Sequence, residues 1–447
     1  MRPWVGAPSL KRLHELCPLT VVQPSVQAKF TAGGNDRGID CLSLTLPCKD
    51  ARGTRAARPE FPNVVMTREP KIAYVMLRNA HFGPRLAASV ELCVRDLVIH
   101  SRYARSTLVV CPPVDQPFEG IEIATIPDPG ISGNLGKAWG VAQLLRRRGI
   151  DLAIVENHLP AAAFIALTSG ARVILQTHAY VKAPTSPFDG AFRRRELRLL
   201  SGCAFVSEYA LSQFRADFPG VRAAQRAVPN GLDMQAWSST KPKDKSILCV
   251  GRALRHKGHI EAMAAITRVL PSRPEWSARF MVSDPAAADR DPELVDALRA
   301  AAEPFNGRIR VDSNVPYTEV KAAWERAEVG MVLTTGPEPF GRTALEAMAS
   351  GAAVITSGRG GLAEICGPCA VTVEPSDANG IAATLGQLLD APDRRAQLAS
   401  AGRKRVEALF DIRAIARQMD EFIEACLGEG WGQAQVSDPG RQAALPL

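Results

Sequence analysis

The amino-acid sequence predicts an α/β protein of two Rossmann-like, doubly wound domains that face a central cleft. At 447 residues, the chain exceeds the size that one hydrophobic core usually serves. Short apolar runs suited to buried parallel strands alternate with helix-length segments, and this alternation restarts once, after the charged stretch 241–245. Hydrophobic residues make up 46% and charged residues 22%, which excludes global disorder.

The N-terminal part divides into a leader and a first domain. Residues 1–69 mix Pro, Gly and Arg without a sustained period, so we predict a poorly ordered leader. Order begins at the apolar run 71–77, a buried strand followed by a loop and a helix. We assign residues 70–235 to the first domain. Its other predicted elements are strands at 106–111, 152–156, 173–177 and 203–207 and helices at 86–100, 137–148 and 192–200.

The same alternation predicts a second domain over residues 236–410. We expect a C-terminal helix at 411–430, which can return to the first domain, and a flexible tail at 431–447. The predicted strands are 246–251, 278–282, 309–311, 329–333 and 353–356, and the predicted helices include 259–269, 292–302, 317–326 and 343–349.

The strongest functional signal is the segment 336–351, which follows an apolar strand. Glu338 falls on the loop at the strand's carboxyl end, and Glu346 falls about one turn into the next helix, beside the crevice where open α/β sheets bind ligands. Four residues between them occupy the helix N-terminus, whose free amides attract phosphate: Phe340, Gly341, Arg342 and Thr343. Because carboxylates prefer hydroxyls to phosphate, the pattern indicates a ligand with a diphosphate between two polyols. The alternative is a pair of surface glutamates.

The second signal is the segment 249–258, again a strand end, a glycine turn and a helix start. Arg252 and Lys257 bring two positive charges to the same crevice. A forked guanidinium and a point-charge ammonium can neutralise a diphosphate leaving group without a metal ion. A solvated basic loop is the alternative.

These motifs resemble glycosyltransferase family 4, the retaining GT-B enzymes. The resemblance rests on Gly251-Arg252 with Lys257-Gly258, the two glutamates eight residues apart, and the segments 346–351 and 360–364. It implies a GT-B fold with an N-terminal acceptor domain and a C-terminal donor domain. It also implies transfer from a nucleotide-sugar donor, retention of anomeric configuration, no metal and no cofactor.

The resemblance further implies a role for each motif residue. Arg252 and Lys257 would bind the diphosphate, Glu338 the transferred sugar and Glu346 the ribose. Arg342 stands where an aliphatic residue is commoner in the family, which bears on the choice of donor.

Two residues of the first half are weaker candidates. Gly83 follows the first predicted strand. Because glycine has no side chain, the backbone there could approach a ligand closely, although a purely structural turn would explain a glycine at this position equally well. His178 ends another predicted strand and is similar to the family histidine that faces the sugar, whereas lone histidines are usually structural.

The net charge and the cysteine positions bear on whether the protein binds nucleic acid, a membrane or a metal ion. The net charge of +8 and the basic runs 144–148 and 192–200 are compatible with nucleic acid or with peripheral contact to an anionic membrane, although a solvated helix face is the simpler interpretation of both runs. Nucleic acid is disfavoured because aromatic residues do not interleave the basic clusters. The pair Cys366 and Cys369 lacks a second pair that would complete a metal site. A cytoplasmic protein with a glycan or lipid-linked acceptor is expected.

Three other functions remain as alternatives. A GT-B epimerase would use the same diphosphate cradle without an acceptor. A dinucleotide-dependent oxidoreductase would need a GxGxxG after a strand, which the sequence lacks at that position. A non-enzymatic nucleic-acid or anion binder is compatible with the charge.

Overall fold

The computed structural model describes residues 68–77, 81–84, 87–127, 133–237, 242–283 and 291–428. The predicted leader up to residue 67 and the predicted tail lie outside the described residues. Both sheets described below belong to the compact unit Met66–Leu447.

The first half of this unit is built on a parallel sheet. Its strands are β1 (Ile72–Val75), β2 (Thr107–Cys111), β3 (Glu122–Thr125), β4 (Leu152–Glu156), β5 (Arg172–Thr177), β6 (Gly202–Phe205) and β7 (Ala224–Ala227). Within the described residues their order is β3-β2-β1-β4-β5-β6-β7, with every pair parallel. All residues of β1, β2 and β4 are buried, as continuous apolar runs require when helices cover both faces. The helices are α1 (Ser89–His100), α2 (Gly133–Arg148), α3 (Leu159–Thr168), α4 (Pro187–Leu197) and α5 (Glu208–Asp217).

The second half repeats this architecture. Its strands are β8 (Asp244–Arg252), β9 (Ser277–Ser283), β10 (Ile309–Ser313), β11 (Ala327–Val332), β12 (Ala353–Thr356) and β13 (Val371–Thr372). Among the described residues, they form a parallel sheet in the order β10-β9-β8-β11-β12-β13. The helices are α6 (His259–Val269), α7 (Pro292–Ala302), α8 (Tyr317–Arg326), α9 (Arg342–Ala349), α10 (Gly361–Cys366), α11 (Ala378–Asp390) and α12 (Pro392–Leu409).

The last described helix, α13 (Ile412–Leu427), returns to the first sheet. Its apolar face packs with α1 on the sheet face opposite to α2, α3 and α5. The carboxylate of Asp420 fixes the contact, because it accepts hydrogen bonds from Ser101 Oγ at 2.5 Å and from the Arg102 amide at 2.9 Å. The C-terminal helix therefore ties the end of the second half to the first.

Two parallel-sheet α/β domains confirm the predicted fold class. The sequence did not predict β3 and β7, the outermost strands of the first sheet. Both contain exposed and partly exposed residues, so they lack the continuous apolar run of the central strands.

Candidate functional site

The site lies where carboxyl ends of strands from the two halves meet. Ser207, which follows β6, donates a hydrogen bond from Oγ to the carbonyl of Pro339, which follows β11, at 2.6 Å. The same oxygen caps α5 by accepting from the Ala210 amide at 3.0 Å. One hydroxyl therefore joins the loop that carries Glu338 to the first half of the molecule.

Lys257 and Glu338 form an ion pair at this junction. Lys257 Nζ lies 2.6 Å from Glu338 Oε2, and the two side chains are only 18% and 16% exposed. The loop after β8 and the loop after β11 are held together by the Thr335 amide, which donates to the His256 carbonyl at 2.9 Å. The structure thus brings together an ammonium and a carboxylate that are 81 residues apart in sequence.

The turn before α10 fixes the backbone of Glu338. The Gly361 amide donates to the Glu338 carbonyl at 2.7 Å. Gly360 has φ +66°, and a Cβ added there would lie 2.4 Å from the same carbonyl oxygen. A glycine is therefore required at this position for close backbone approach.

Arg252 ends β8, and its side chain is exposed. Within the described part of the chain, its guanidinium has no hydrogen-bond or ion-pair partner. Its carbonyl is held by His259 Nε2 at 3.1 Å. His259 is buried, and burial lowers its pKa to about 4, so the ring is neutral at neutral pH and its Nε2–H donates to this carbonyl.

Glu346 is buried and already has partners. Its Oε1 accepts from Tyr317 Oη at 2.8 Å and from Arg342 Nε at 2.9 Å. The guanidinium of Arg342 also reaches the first half, with Nη1 3.0 Å from Cys93 Sγ and Nη2 3.8 Å from an oxygen of Asp96. Arg342 therefore links α9 to α1 through its side chain, an arrangement the sequence did not predict.

His178 follows β5 and pairs with Glu156, which ends the neighbouring strand β4. Its Nε2 lies 3.1 Å from Glu156 Oε2, and both side chains are almost fully buried. Burial alone would lower the pKa of His178, but the adjacent Cys93 and Glu156 outweigh it and raise the pKa to about 10. An imidazolium therefore lies at the edge of the first sheet that borders the site.

Several other buried side-chain polar atoms at or just after strand ends have no hydrogen-bond partner among the described residues. They belong to Gln176, Thr177 and Tyr180 of the first half and to Ser357 of the second. Buried polar groups in folded proteins are nearly always satisfied, so unpartnered atoms at strand ends are candidate ligand contacts. Sequence motifs did not predict these positions.

The remaining predicted residues have mixed placements. The ring of Phe340 is buried in the core against Phe410. Gly341 has φ +105°, and Thr343 is partly buried. A Cβ at Gly83 would lie 2.0 Å from the Gln116 carbonyl oxygen, so the protein's own backbone already requires a glycine there.

The amides at the start of α9 are available for a ligand. Among the described residues, the backbone N–H groups of Gly341, Arg342 and Thr343 have no protein acceptor, as expected for the first turn of a helix. The described residues contain no group of His, Cys, Asp and Glu side chains with the arrangement of a metal site. Nor does any described helix combine the length and the apolar character needed to cross a membrane.

Comparisons with known proteins fit this geometry. Residues 234–405 match the family described as Glycosyl transferases group 1. A GDP-mannose-dependent monoacylated alpha-(1-6)-phosphatidylinositol monomannoside mannosyltransferase of Corynebacterium glutamicum is 26% identical over 320 residues, which are 64% of this chain and 80% of that enzyme. A glycogen synthase of Mycobacterium tuberculosis is 31% identical over 243 residues, 51% of this chain and 54% of that enzyme. The comparisons support a glycosyltransferase.

A solved structure shows the fold. HepE of Anabaena, in complex with UDP and glucose, superposes with a TM-score of 0.65 at 19% identity, over 79% of this chain and 99% of HepE. The expected GT-B fold is therefore confirmed. Membership of glycosyltransferase family 4 stays a prediction.

Proposed function

We propose that this chain transfers a hexose from a nucleoside-diphosphate sugar to an acceptor hydroxyl, with retention of anomeric configuration and without a metal ion. The observation that carries the proposal is the ion pair of Lys257 and Glu338, held at 2.6 Å between strand ends. Lys257 supplies a cation for the diphosphate, and Glu338 supplies an acceptor for sugar hydroxyls. A relative that is named GDP-mannose-dependent and a fold neighbour solved with UDP support a nucleotide-linked donor.

Binding of the diphosphate would break the ion pair between Lys257 and Glu338. On binding, its oxygens would take the place of the Glu338 carboxylate beside Lys257 Nζ, which frees the carboxylate for the sugar. Arg252, with an exposed guanidinium, and the free amides at the start of α9 would hold the remaining phosphate oxygens. These groups offset the charge that develops on the leaving diphosphate.

The transfer itself would occur on one face of the sugar. The acceptor oxygen forms a bond to the anomeric carbon as the bond from that carbon to the diphosphate breaks, and a phosphate oxygen takes the acceptor's proton. We assign His178 to the sugar-facing side, where its charge is fixed by Glu156 at 3.1 Å. Glu346 would contact the ribose through Oε2, because its Oε1 already accepts hydrogen bonds from Tyr317 and Arg342.

The acceptor is proposed to be a glycan or a lipid-linked sugar handled on the cytoplasmic side of the membrane. The Corynebacterium relative is named for transfer to a phosphatidylinositol mannoside, and the Mycobacterium relative is named glycogen synthase. Both acceptor classes present a sugar hydroxyl.

The test uses the purified chain with GDP-mannose, UDP-glucose and ADP-glucose, each with EDTA present. We expect slow hydrolysis of one donor and faster transfer when an acceptor is added. Glu338→Gln and Lys257→Ala should each lower turnover about 100-fold, because each removes a charge-assisted contact. Lys245→Ala is the matched control, since Lys245 is exposed and lies near the start of β8, the strand that ends near the site. Full turnover in both site variants would contradict the assignment, and conversion of the donor sugar without an acceptor would indicate an epimerase.

A further inference from the structure

An apolar surface covers the outside of the first domain. Three neighbouring helices, α2, α3 and α4, cover the same face of the first sheet and pack side by side. Their outward faces and the turn after α4 carry six of the nine large exposed hydrophobic residues in the described part of the chain, which excludes random scatter. These six residues, here called the apolar patch, are Leu135, Trp139, Leu167, Phe188, Phe192 and Leu199.

Helical periodicity explains why these residues point outward together. Phe188 and Phe192 are four residues apart on α4 and are 83% and 55% exposed, whereas Leu197 on the opposite side of the same helix is fully buried. The patch continues from helix to helix, because Trp139 of α2 packs edge-on against Phe164 of α3, with ring centroids 6.3 Å apart. The surface is therefore continuous across at least two helices.

The same helices are strongly basic. Together α2, α3 and α4 contain seven arginine and lysine residues and two acidic residues. Two of these charges are paired, since Arg193 contacts Asp189 at 2.8 Å and Arg148 contacts Glu122 at 2.8 Å, and Glu196 is buried. The three helices still carry a net positive charge. Arg195 and Arg198 are exposed, and they have no side-chain partner among the described residues.

We propose that this face docks onto an anionic lipid bilayer. Exposed Phe, Trp and Leu side chains insert at the level of the headgroups, and the arginines bind lipid phosphates. Charge complementarity selects an anionic membrane over a protein surface, because this face combines large apolar side chains with a net positive charge. Sequence alone favoured a solvated helix for the basic run 192–200, but solvation does not account for two exposed phenylalanines on the same helix.

The apolar patch extends along the whole length of the three helices. Phe188 lies in the first turn of α4, which follows β5 in the chain, and Leu135 lies near the start of the described part of α2. The other patch residues extend along the helices to their opposite ends, where Leu167 and Leu199 lie, so the whole outer face of the three helices is the docking surface. The docking itself does not depend on the proposed transferase reaction.

The test is co-sedimentation of the full chain with vesicles. We expect binding to vesicles of equal parts phosphatidylglycerol and phosphatidylcholine, little binding to phosphatidylcholine alone, and weaker binding at high salt. Phe188→Ser with Phe192→Ser should weaken binding about tenfold or more. Arg195→Gln with Arg198→Gln should weaken it about fivefold for each arginine.

The matched control variants carry the same kinds of substitution on the surface of the second domain. Ile260→Ser and Leu409→Ser remove exposed apolar side chains from the second domain, and Arg310→Gln removes an exposed arginine there; none should change vesicle binding. The proposal is wrong if the anionic vesicles do not bind the chain, or if control and patch variants lose binding equally. It is also wrong if light scattering shows a dimer that Phe188→Ser abolishes, because the patch would then be an interface between copies. Vesicle binding can fail while sugar transfer succeeds, so the two proposals are tested separately.

Discussion

Acid should destabilise this protein through His259, the buried histidine that holds the carbonyl of Arg252. Burial lowers its pKa in the folded chain from 6.5 to about 4. Below pH 6.5, His259 therefore binds a proton in the unfolded chain but stays neutral in the folded chain. The free energy of unfolding falls as a result until the pH reaches about 4. The full shift corresponds to about 3 kcal/mol, and about 2 kcal/mol of it is lost between about pH 7 and about pH 5.

The perturbation that isolates this contribution is His259→Gln. A glutamine amide can still donate to the Arg252 carbonyl but does not titrate, so the variant should lose about 2 kcal/mol less than the wild type over the same pH interval. Urea unfolding followed by tryptophan fluorescence at several pH values measures this difference. Because every other titrating group is common to both proteins, any initial destabilisation of the variant cancels in the comparison of pH dependence. Equal losses in the two proteins would refute the assignment of a neutral buried imidazole.

Two further substitutions test the packing of the site by their effect on the free energy of unfolding. Gly258→Ala should cost more than about 3 kcal/mol or prevent folding, because its Cβ would lie 1.5 Å from the Leu333 carbonyl oxygen; Gly307→Ala, with the same positive φ but open space around it, should cost only about 1 kcal/mol. Similar losses in urea unfolding would contradict this reasoning. Arg342→Leu should cost about 3 kcal/mol in the same assay, because it leaves the buried carboxylate of Glu346 without its guanidinium, whereas Asp96 keeps Arg95 at 2.8 Å. A loss below about 1 kcal/mol would show that this ion pair contributes little to stability.

The sequence predicted the central elements of the fold because their pattern is local. Strands such as β1 and β4 are continuous apolar runs, and a parallel sheet buried on both faces produces this pattern directly. Helices α6 and α9 begin just after the glycine turns at Gly258 and Gly341. The edge strands β3 and β7 were missed because half-exposed strands resemble loops in sequence.

Motifs at strand ends indicated which side chains of the second half lie close together, whereas contacts outside the motifs were missed. The sequence placed Lys257 and Glu338 in one crevice, and the structure brings them to 2.6 Å. It gave no sign that Glu156 faces His178, because no motif joins the two residues and only the pairing of β4 with β5 makes them neighbours. Their catalytic roles stay predictions.

Arg342 shows how a departure from a family pattern can be interpreted from contacts. Sequence alone marked this residue as unusual because an aliphatic side chain is commoner there, and it placed the residue at the helix N-terminus that was predicted to bind phosphate. The guanidinium instead contacts Glu346 of the same helix and Cys93 and Asp96 of α1. It thereby neutralises the carboxylate that was predicted to bind ribose, so a donor must either accept the remaining carboxylate oxygen or displace the arginine. Since displacement would also break the contacts of Arg342 with Cys93 and Asp96 of α1, donor binding at Glu346 and this contact between the two halves are expected to be coupled.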